Sequence, residues 1–368
     1  MPKEQYVRCM TLKKISLLLV ICLVVFQGYR IHRDAGVGLE IEPLGYGQCT
    51  AVFGPSGPED IVIDAANEVA FISADDRRFN RKQLEVDRNA DLKEGGIWLL
   101  DLAKEDTQAL SLNADVGPRF HPHGIDLLTL ADGKRELYVI NHRSTDEHEV
   151  IIFNVADDHS LNLKRRISYP QMISPNDIVA LGEERFFVTN DHGSPSSSFM
   201  HTVEEYLGLA RSSVTYFDGQ NGSYLLKGIN SANGIEVSND MQNLYVAEAI
   251  GRSVRRYERH GSDLTSWKLI EKLDAGTAVD NLSWADDHTL LAGAHPKLFD
   301  FISHAKDDSA DSPSQVISID VGGEVMVRKT VYMDEGAEIS GASVATQLNG
   351  ELLIGAVFEN FFLRCKQG

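Results

Sequence analysis

Strand-length apolar runs separated by polar turns recur from Cys49 to Cys365, and six of them follow copies of the same short motif. The copies read Pro58-Glu59-Asp60-Ile61, Pro122-His123-Gly124-Ile125, Pro175-Asn176-Asp177-Ile178, Ala232-Asn233-Gly234-Ile235, Val279-Asp280-Asn281-Leu282 and a degenerate Ser340-Gly341-Ala342-Ser343. A polar turn and a β-rich run follow each, as in Val69-Ala70-Phe71-Ile72 and Leu244-Tyr245-Val246, which is a hairpin signature. The copies are spaced by about 64, 53, 57, 47 and 61 residues, a period expected of a propeller or similar array. Further runs between them, such as Gly96-Ile97-Trp98-Leu99-Leu100-Asp101 and Val150-Ile151-Ile152-Phe153, supply enough strands for four per repeat. The pattern therefore predicts an all-β fold, a six-bladed β-propeller of four-stranded blades. Cys49 to Phe53 precede the first motif and Ala356 to Cys365 follow the last, so both termini are expected to complete the final blade and remove an open sheet edge.

Three stretches depart from this pattern. Phe199, Val203, Tyr206, Leu207 and Ala210 fall at helical spacing, predicting a helix over the active-site face with Ser196 to Ser198 available as its cap. Asp75 to Glu94 is strongly polar and reads as a mobile loop. At the N-terminus, Lys3, Arg8, Lys13 and Lys14 precede an apolar run from Ile15 to Phe26, the charged and hydrophobic regions of a secretory signal. At about 12 residues the run is short for a spanning helix, and no small-x-small cleavage site follows it. Residues 1–33 are thus expected to be a signal or retained anchor and 34–368 one propeller domain, secreted or membrane-anchored on the extracytoplasmic side.

The net charge of −19 comes from scattered acids, which argues against nucleic acid as a partner. Of the four cysteines, Cys9 and Cys22 lie in the leader. Export permits a disulfide between Cys49 and Cys365; two free buried thiols are the other reading.

Rotation about one axis would bring equivalent motif positions together. The second slots are Glu59, His123, Asn176, Asn233, Asp280 and Gly341, so the sixth copy is expected to leave a gap with room for substrate. Glu59, Asn176, Asn233, Asp280 and Asn281 offer only oxygen donors, a set that suits Ca²⁺ and disfavours zinc. In the third slot, Asp60 and Asp177, with the Ile125 carbonyl, could hold a second, more buried ion. His123 is the one imidazole among these positions, and His142 ends a strand of the same repeat; a histidine pair beside a Lewis acid can deprotonate water near neutral pH. His192 and His295 end the corresponding strands of later repeats and are expected to form substrate wall. There is no Gly-x-Ser-x-Gly elbow and no His-Glu-x-x-His helix, so serine and zinc hydrolase readings lack support.

These residues resemble the serum paraoxonase/arylesterase family of six-bladed propellers from about Cys49 to Cys365. The resemblance is carried by Phe120-His121-Pro122-His123-Gly124-Ile125, Asn176-Asp177-Ile178-Val179-Ala180, Thr189-Asn190-Asp191-His192, Ala232-Asn233-Gly234-Ile235 and Val279-Asp280-Asn281. It implies a catalytic Ca²⁺ on Glu59, Asn176, Asn233, Asp280 and Asn281, and a structural Ca²⁺ on Asp60, Ile125 and Asp177. It also implies a His123/His142 dyad, the Cys49–Cys365 disulfide, a retained N-terminal segment, and hydrolysis of lactones with aryl ester turnover. Lipoprotein binding is not carried over, because the helix within 194–213 is more polar and the 75–94 segment unlike the family's. A calcium-stabilised scaffold or membrane-tethered chaperone-like module is the alternative, and a sugar-acid lactonase of the gluconolactonase type a third reading. Asn221-Gly222-Ser223 offers a glycosylation sequon in a turn.

Overall fold

Each motif copy opens the innermost strand of a blade. The computed structural model describes residues 3–87, 90–105, 108–112 and 114–366, which form six four-stranded sheets. The innermost strands of blades 1 to 6 are Pro58–Asp64, Pro122–Thr129, Pro175–Gly182, Ala232–Val237, Ala278–Asp286 and Ala342–Leu348. They pack side by side in sequence order, and the first also packs against the sixth, so the ring is closed. Buried residues of adjacent blades interdigitate: Phe71 and Ile97 of blade 1 meet Leu137, Val139, Ile151 and Phe153 of blade 2. Burial of this kind, on both faces of every blade, is the main stabilising term of the fold.

Blade 6 takes its outermost strand, Gln48–Phe53, from the N-terminal side and pairs it antiparallel with Phe361–Lys366 near the C-terminus. Cys49 stands opposite Cys365 in that ladder, and the two form a disulfide.

All six innermost strands carry a bulge within their first residues. A bulge bends the strand and re-aims side chains, here at the residues of the motif. Register through the bulges corrects the sixth copy. Pro58 faces Ala74 and Asp60 faces Ser73, while Ala342 faces Ala356 and Val344 faces Gly355. The equivalent of Glu59 is therefore Ser343, not Gly341. Ser343 Oγ donates to the Glu59 carbonyl at 2.7 Å, so that position is filled rather than open.

Helix α1 (Lys3–Asp34) contains a stretch, Lys14–Asp34, long and apolar enough to cross a membrane. It outruns the expected apolar segment because helical structure continues through Gln27 to Asp34. Arg252 Nη1 caps its end by donating to the Asp34 carbonyl at 2.7 Å, as a cation at a helix C-terminus should. Helix α2 (Arg77–Val86) replaces the expected mobile loop. It lacks apolar periodicity because polar groups anchor it: Asp76 caps the Phe79 N–H, and buried Asn80 bonds Asp75 Oδ1 and both main-chain groups of Lys93. Helix α3 (Phe199–Leu207) is the helix expected there, capped by Ser198 and closed by Gly208 in the left-handed region. Helix α4 (Leu298–His304) lies within blade 5, between its strands Thr289–His295 and Ser314–Asp320.

Candidate active site

Of the second-slot side chains, Glu59, Asn176, Asn233 and Asp280 are buried, Glu59 being only 2% exposed, and His123 is half-buried. Glu59 Oε2 and the Oδ1 atoms of Asn176, Asn233 and Asn281 are buried without a hydrogen-bond partner among the described residues. Buried polar atoms are nearly always paired, so four orphaned oxygens at equivalent register positions, or one residue beyond, call for a cation. Among the described residues no three His, Cys, Asp or Glu side chains group closely enough to hold a metal alone; the orphaned set is mostly amide. Neutral amides beside two carboxylates match the hard oxygen preference of Ca²⁺. The residues present therefore fit the ion expected from the sequence.

Contacts knit the set together. Asn281 Nδ2 donates to Glu59 Oε1 at 2.8 Å, and His123 Nε2 lies 3.4 Å from the same oxygen. Arg77, at the start of α2, places Nη2 3.9 Å from Glu59 Oε2 while donating to the Pro122 carbonyl at 3.1 Å. Burial alone would raise the Glu59 pKa, but His123, Arg77 and the Asn281 amide outweigh it and hold the carboxyl at about 2. Burial raises Asp280 instead, against the pull of His295, whose Nε2 lies 2.8 Å from Asp280 Oδ2.

Asp60 and Asp177 sit one residue further along and are also buried. Each spans two blades: Asp60 accepts the Ile61 and Ile125 N–H groups, and Asp177 accepts those of Ile178 and Ile235. Burial and then a neighbouring carboxylate, Glu59 for Asp60 and Asp60 for Asp177, push both pKa values well up. Such uncompensated acids would be relieved by a cation. In the intervening slots lie Gly124 and Gly234, where a Cβ would meet the Asn176 carbonyl oxygen at 2.5 Å and the Leu282 nitrogen at 2.4 Å. Glycine at these slots lets the next blade approach.

His123 Nδ1 lies 2.7 Å from His142 Nε2. Burial, followed by the charges of His123, His148 and Arg77, drives the His142 pKa well down. His295 is buried, touching Asp280 and stacking on Phe301 of α4 at 3.8 Å; it lies beside the oxygen set rather than on an open wall. His192 stacks on His201 of α3 at 3.6 Å and bonds Asp191 Oδ1 through Nδ1 at 2.9 Å. Sequence reasoning missed Arg77, His148 and Ser343. His148 was accessible in principle, as the cross-strand neighbour of His142 in a tight hairpin; Arg77 was hidden in the segment read as a loop.

The Asp191–His192 pair has a pH signature. Burial lowers the His192 pKa, but Asp191 overrides it and the net shift is upward; Asp191 is shifted down, burial being outweighed by His192 and then Ser174. A raised histidine stabilises below its unfolded pKa and loses that effect as pH climbs through the folded value. A depressed carboxylate stabilises above its unfolded pKa and loses the effect on acidification. Both contributions overlap in mildly acidic solution. His192→Gln is expected to cost roughly 1.5–3 kcal/mol near pH 5.5, shrinking by pH 9; urea unfolding at the two pH values checks this, and an equal cost at both would sink it.

The chain is similar to known proteins over most of its length. The family described as Arylesterase matches residues 56–366. Serum paraoxonase/arylesterase 2 of Gallus gallus is 34% identical over 332 residues, covering 87% of this chain and 89% of that protein. Serum paraoxonase/lactonase 3 of Homo sapiens is 33% identical over 327 residues, with the same coverage of 87% and 89%. Among solved structures, a luciferin-regenerating enzyme superposes with a TM-score of 0.53 at 12% identity, covering 87% of this chain and 95% of that one. At that identity the likeness concerns the fold alone.

Proposed function

The chain belongs to the arylesterase family, and from that membership we propose that it is a calcium-dependent hydrolase of lactones and aryl esters. The observation that carries the reading is the set of orphaned buried oxygens around the axis, next to a histidine pair. The family names support ester or lactone hydrolysis as the reaction class.

Glu59, Asn176, Asn233, Asp280 and Asn281 would hold one Ca²⁺, and Asp60, Asp177 and the Ile125 carbonyl a second. When bound, the first ion supplies a Lewis acid for the substrate carbonyl and its developing oxyanion. His123 Nε2 acts as general base: it takes a proton from water as the water oxygen bonds the carbonyl carbon. His142 accepts the Nδ1–H of His123 and holds that ring in the required tautomer. As the ester C–O bond breaks, His123 returns the proton to the leaving alkoxide, so no net charge is gained. Arg77 adds positive charge beside Glu59, and His295 orients Asp280. His192 lines the mouth of the site.

In this reading residues 1–33 are a signal or retained anchor and 34–368 a single propeller domain outside the cytoplasm. α1 supports the anchor by its length and composition. Asn221 lies exposed in a turn of blade 3 and would be the glycan acceptor.

Phenyl acetate and a set of lactones test the proposal. Activity should be lost on chelation, by at least about a hundredfold, and restored by Ca²⁺ but not by Mg²⁺, which demands a tighter octahedral cage. Turnover untouched by chelation sinks the calcium mechanism. No turnover of either class by the calcium-loaded protein would favour the scaffold reading.

A further inference from the structure

The histidines of blade 2 form a file of three rings rather than a pair. Beyond His123 and His142, His142 Nδ1 lies 2.8 Å from His148 Nδ1, with the two rings edge-on at 89°. His142 and His148 stand opposite each other across a hairpin of blade 2. Three neutral imidazoles carry three ring protons. Each of the two nitrogen–nitrogen contacts contains one of them. The third must therefore sit at one end of the file, on His123 Nε2 or on His148 Nε2. A base role for His123 needs its Nε2 as a lone pair, which assigns the third proton to the far end.

We infer that His148 is a positioning residue: it accepts the Nδ1 proton of His142 and carries the third proton itself, leaving His123 Nε2 free to deprotonate water. The inference rests on the reading of His123 as the base. It goes beyond the dyad, since a pair alone leaves the direction of the shared proton unset.

At the far end, burial lowers the His148 pKa and outweighs the opposing pull of Asp146, Asp191 and the Ile173 backbone, so the ring is neutral, as the proton count requires. His148 Nε2 itself is buried and has no partner of ordinary geometry among the described residues. At the near end, His123 Nε2 is 3.4 Å from Glu59 Oε1, long for a hydrogen bond, and that oxygen is already engaged by the Asn281 amide. Without His148, the N–H of His142 Nδ1 would be buried and unpartnered, which is unfavourable. The remaining pair would then reverse, with His142 Nε2 donating to His123 Nδ1 and the second of the two remaining ring protons on His123 Nε2.

Two substitutions separate this role from simple packing. His148→Leu removes the acceptor; His148→Asn keeps an oxygen near the place of Nδ1 that accepts the same proton. In the calcium-loaded full chain, His148→Leu is expected to lower kcat for phenyl acetate about 10- to 100-fold with KM within twofold. His148→Asn should keep at least about half of the wild-type kcat, because hydrogen-bond acceptance rather than the imidazole is required. Imidazole ¹⁵N spectra should show His123 Nε2 unprotonated in the wild type and in His148→Asn, and protonated in His148→Leu. The inference is overturned if His148→Leu stays within twofold of wild type, or if a folded His148→Asn falls as far as His148→Leu. If His148→Leu does not fold, the wild-type spectrum decides, and a protonated His123 Nε2 there overturns it. His123→Gln is measured alongside. Full activity in that variant overturns the base role and this inference together, whereas its loss beside an unaffected His148→Leu overturns the inference alone.

Discussion

Replacing Glu59 by Gln is expected to lower kcat/KM for lactones and phenyl acetate by about a thousandfold or more while leaving the calcium-free fold intact. The substitution keeps volume and polarity. It can still accept the Asn281 amide, which reaches Glu59 Oε1 at 2.8 Å, and the backbone carbonyl of residue 59 still takes the Ser343 hydroxyl. What disappears is the charge. Glu59 is the one carboxylate of the oxygen set shifted down, with the Arg77 guanidinium beside it, whereas burial favours a proton on Asp280. An amide can also turn its NH₂ toward the position that the orphaned Oε2 now occupies, presenting a donor where a cation needs an acceptor. Calcium affinity measured by calorimetry should fall in parallel with activity. A variant within tenfold of wild type at saturating Ca²⁺ would remove Glu59 from the ligand set.

The blade count and the innermost strands were legible because the motif, its turn and the following apolar run repeat with strand period, and burial on both faces leaves little freedom for another arrangement. The second slot was legible for the same reason: rotation makes equivalent positions meet. Register was harder to read. The sixth copy has no ligand-type residue, and one bulge decides whether Gly341 or Ser343 stands in the slot; hydrophobic patterning does not specify a bulge. α2 escaped because its contacts are made by Asp76, Asn80 and arginines, and so carry no apolar stripe. His148 escaped for a different reason. Its neighbour His142 is six residues away in sequence but directly opposite across the hairpin, and only the pairing register makes that a contact.

Closure of the ring carries the second large effect. The Cys49–Cys365 bond joins residues 316 apart, and the chain-entropy model assigns a loop of that length a stabilisation of about 6 kcal/mol, an upper figure because native strain and residual structure reduce it. Replacing both cysteines by serine is expected to cost roughly 2–5 kcal/mol, or a fall in Tm of about 3–7 °C, since one kcal/mol corresponds to little more than a degree in a chain of this length. The location makes the cost specific. Gln48–Phe53 is the outermost strand of blade 6 and is held there by its ladder with Phe361–Lys366. Without the bond, local opening can begin by releasing that strand, so the earliest loss of amide protection should map to 48–53 and 361–366. The oxygen set lies on the innermost strands and should retain activity below the melting transition. Equal Tm for the serine variant and wild type, or activity lost at temperatures where the variant remains folded, would show that blade 6 closes without the covalent tie or that the tie reaches the site.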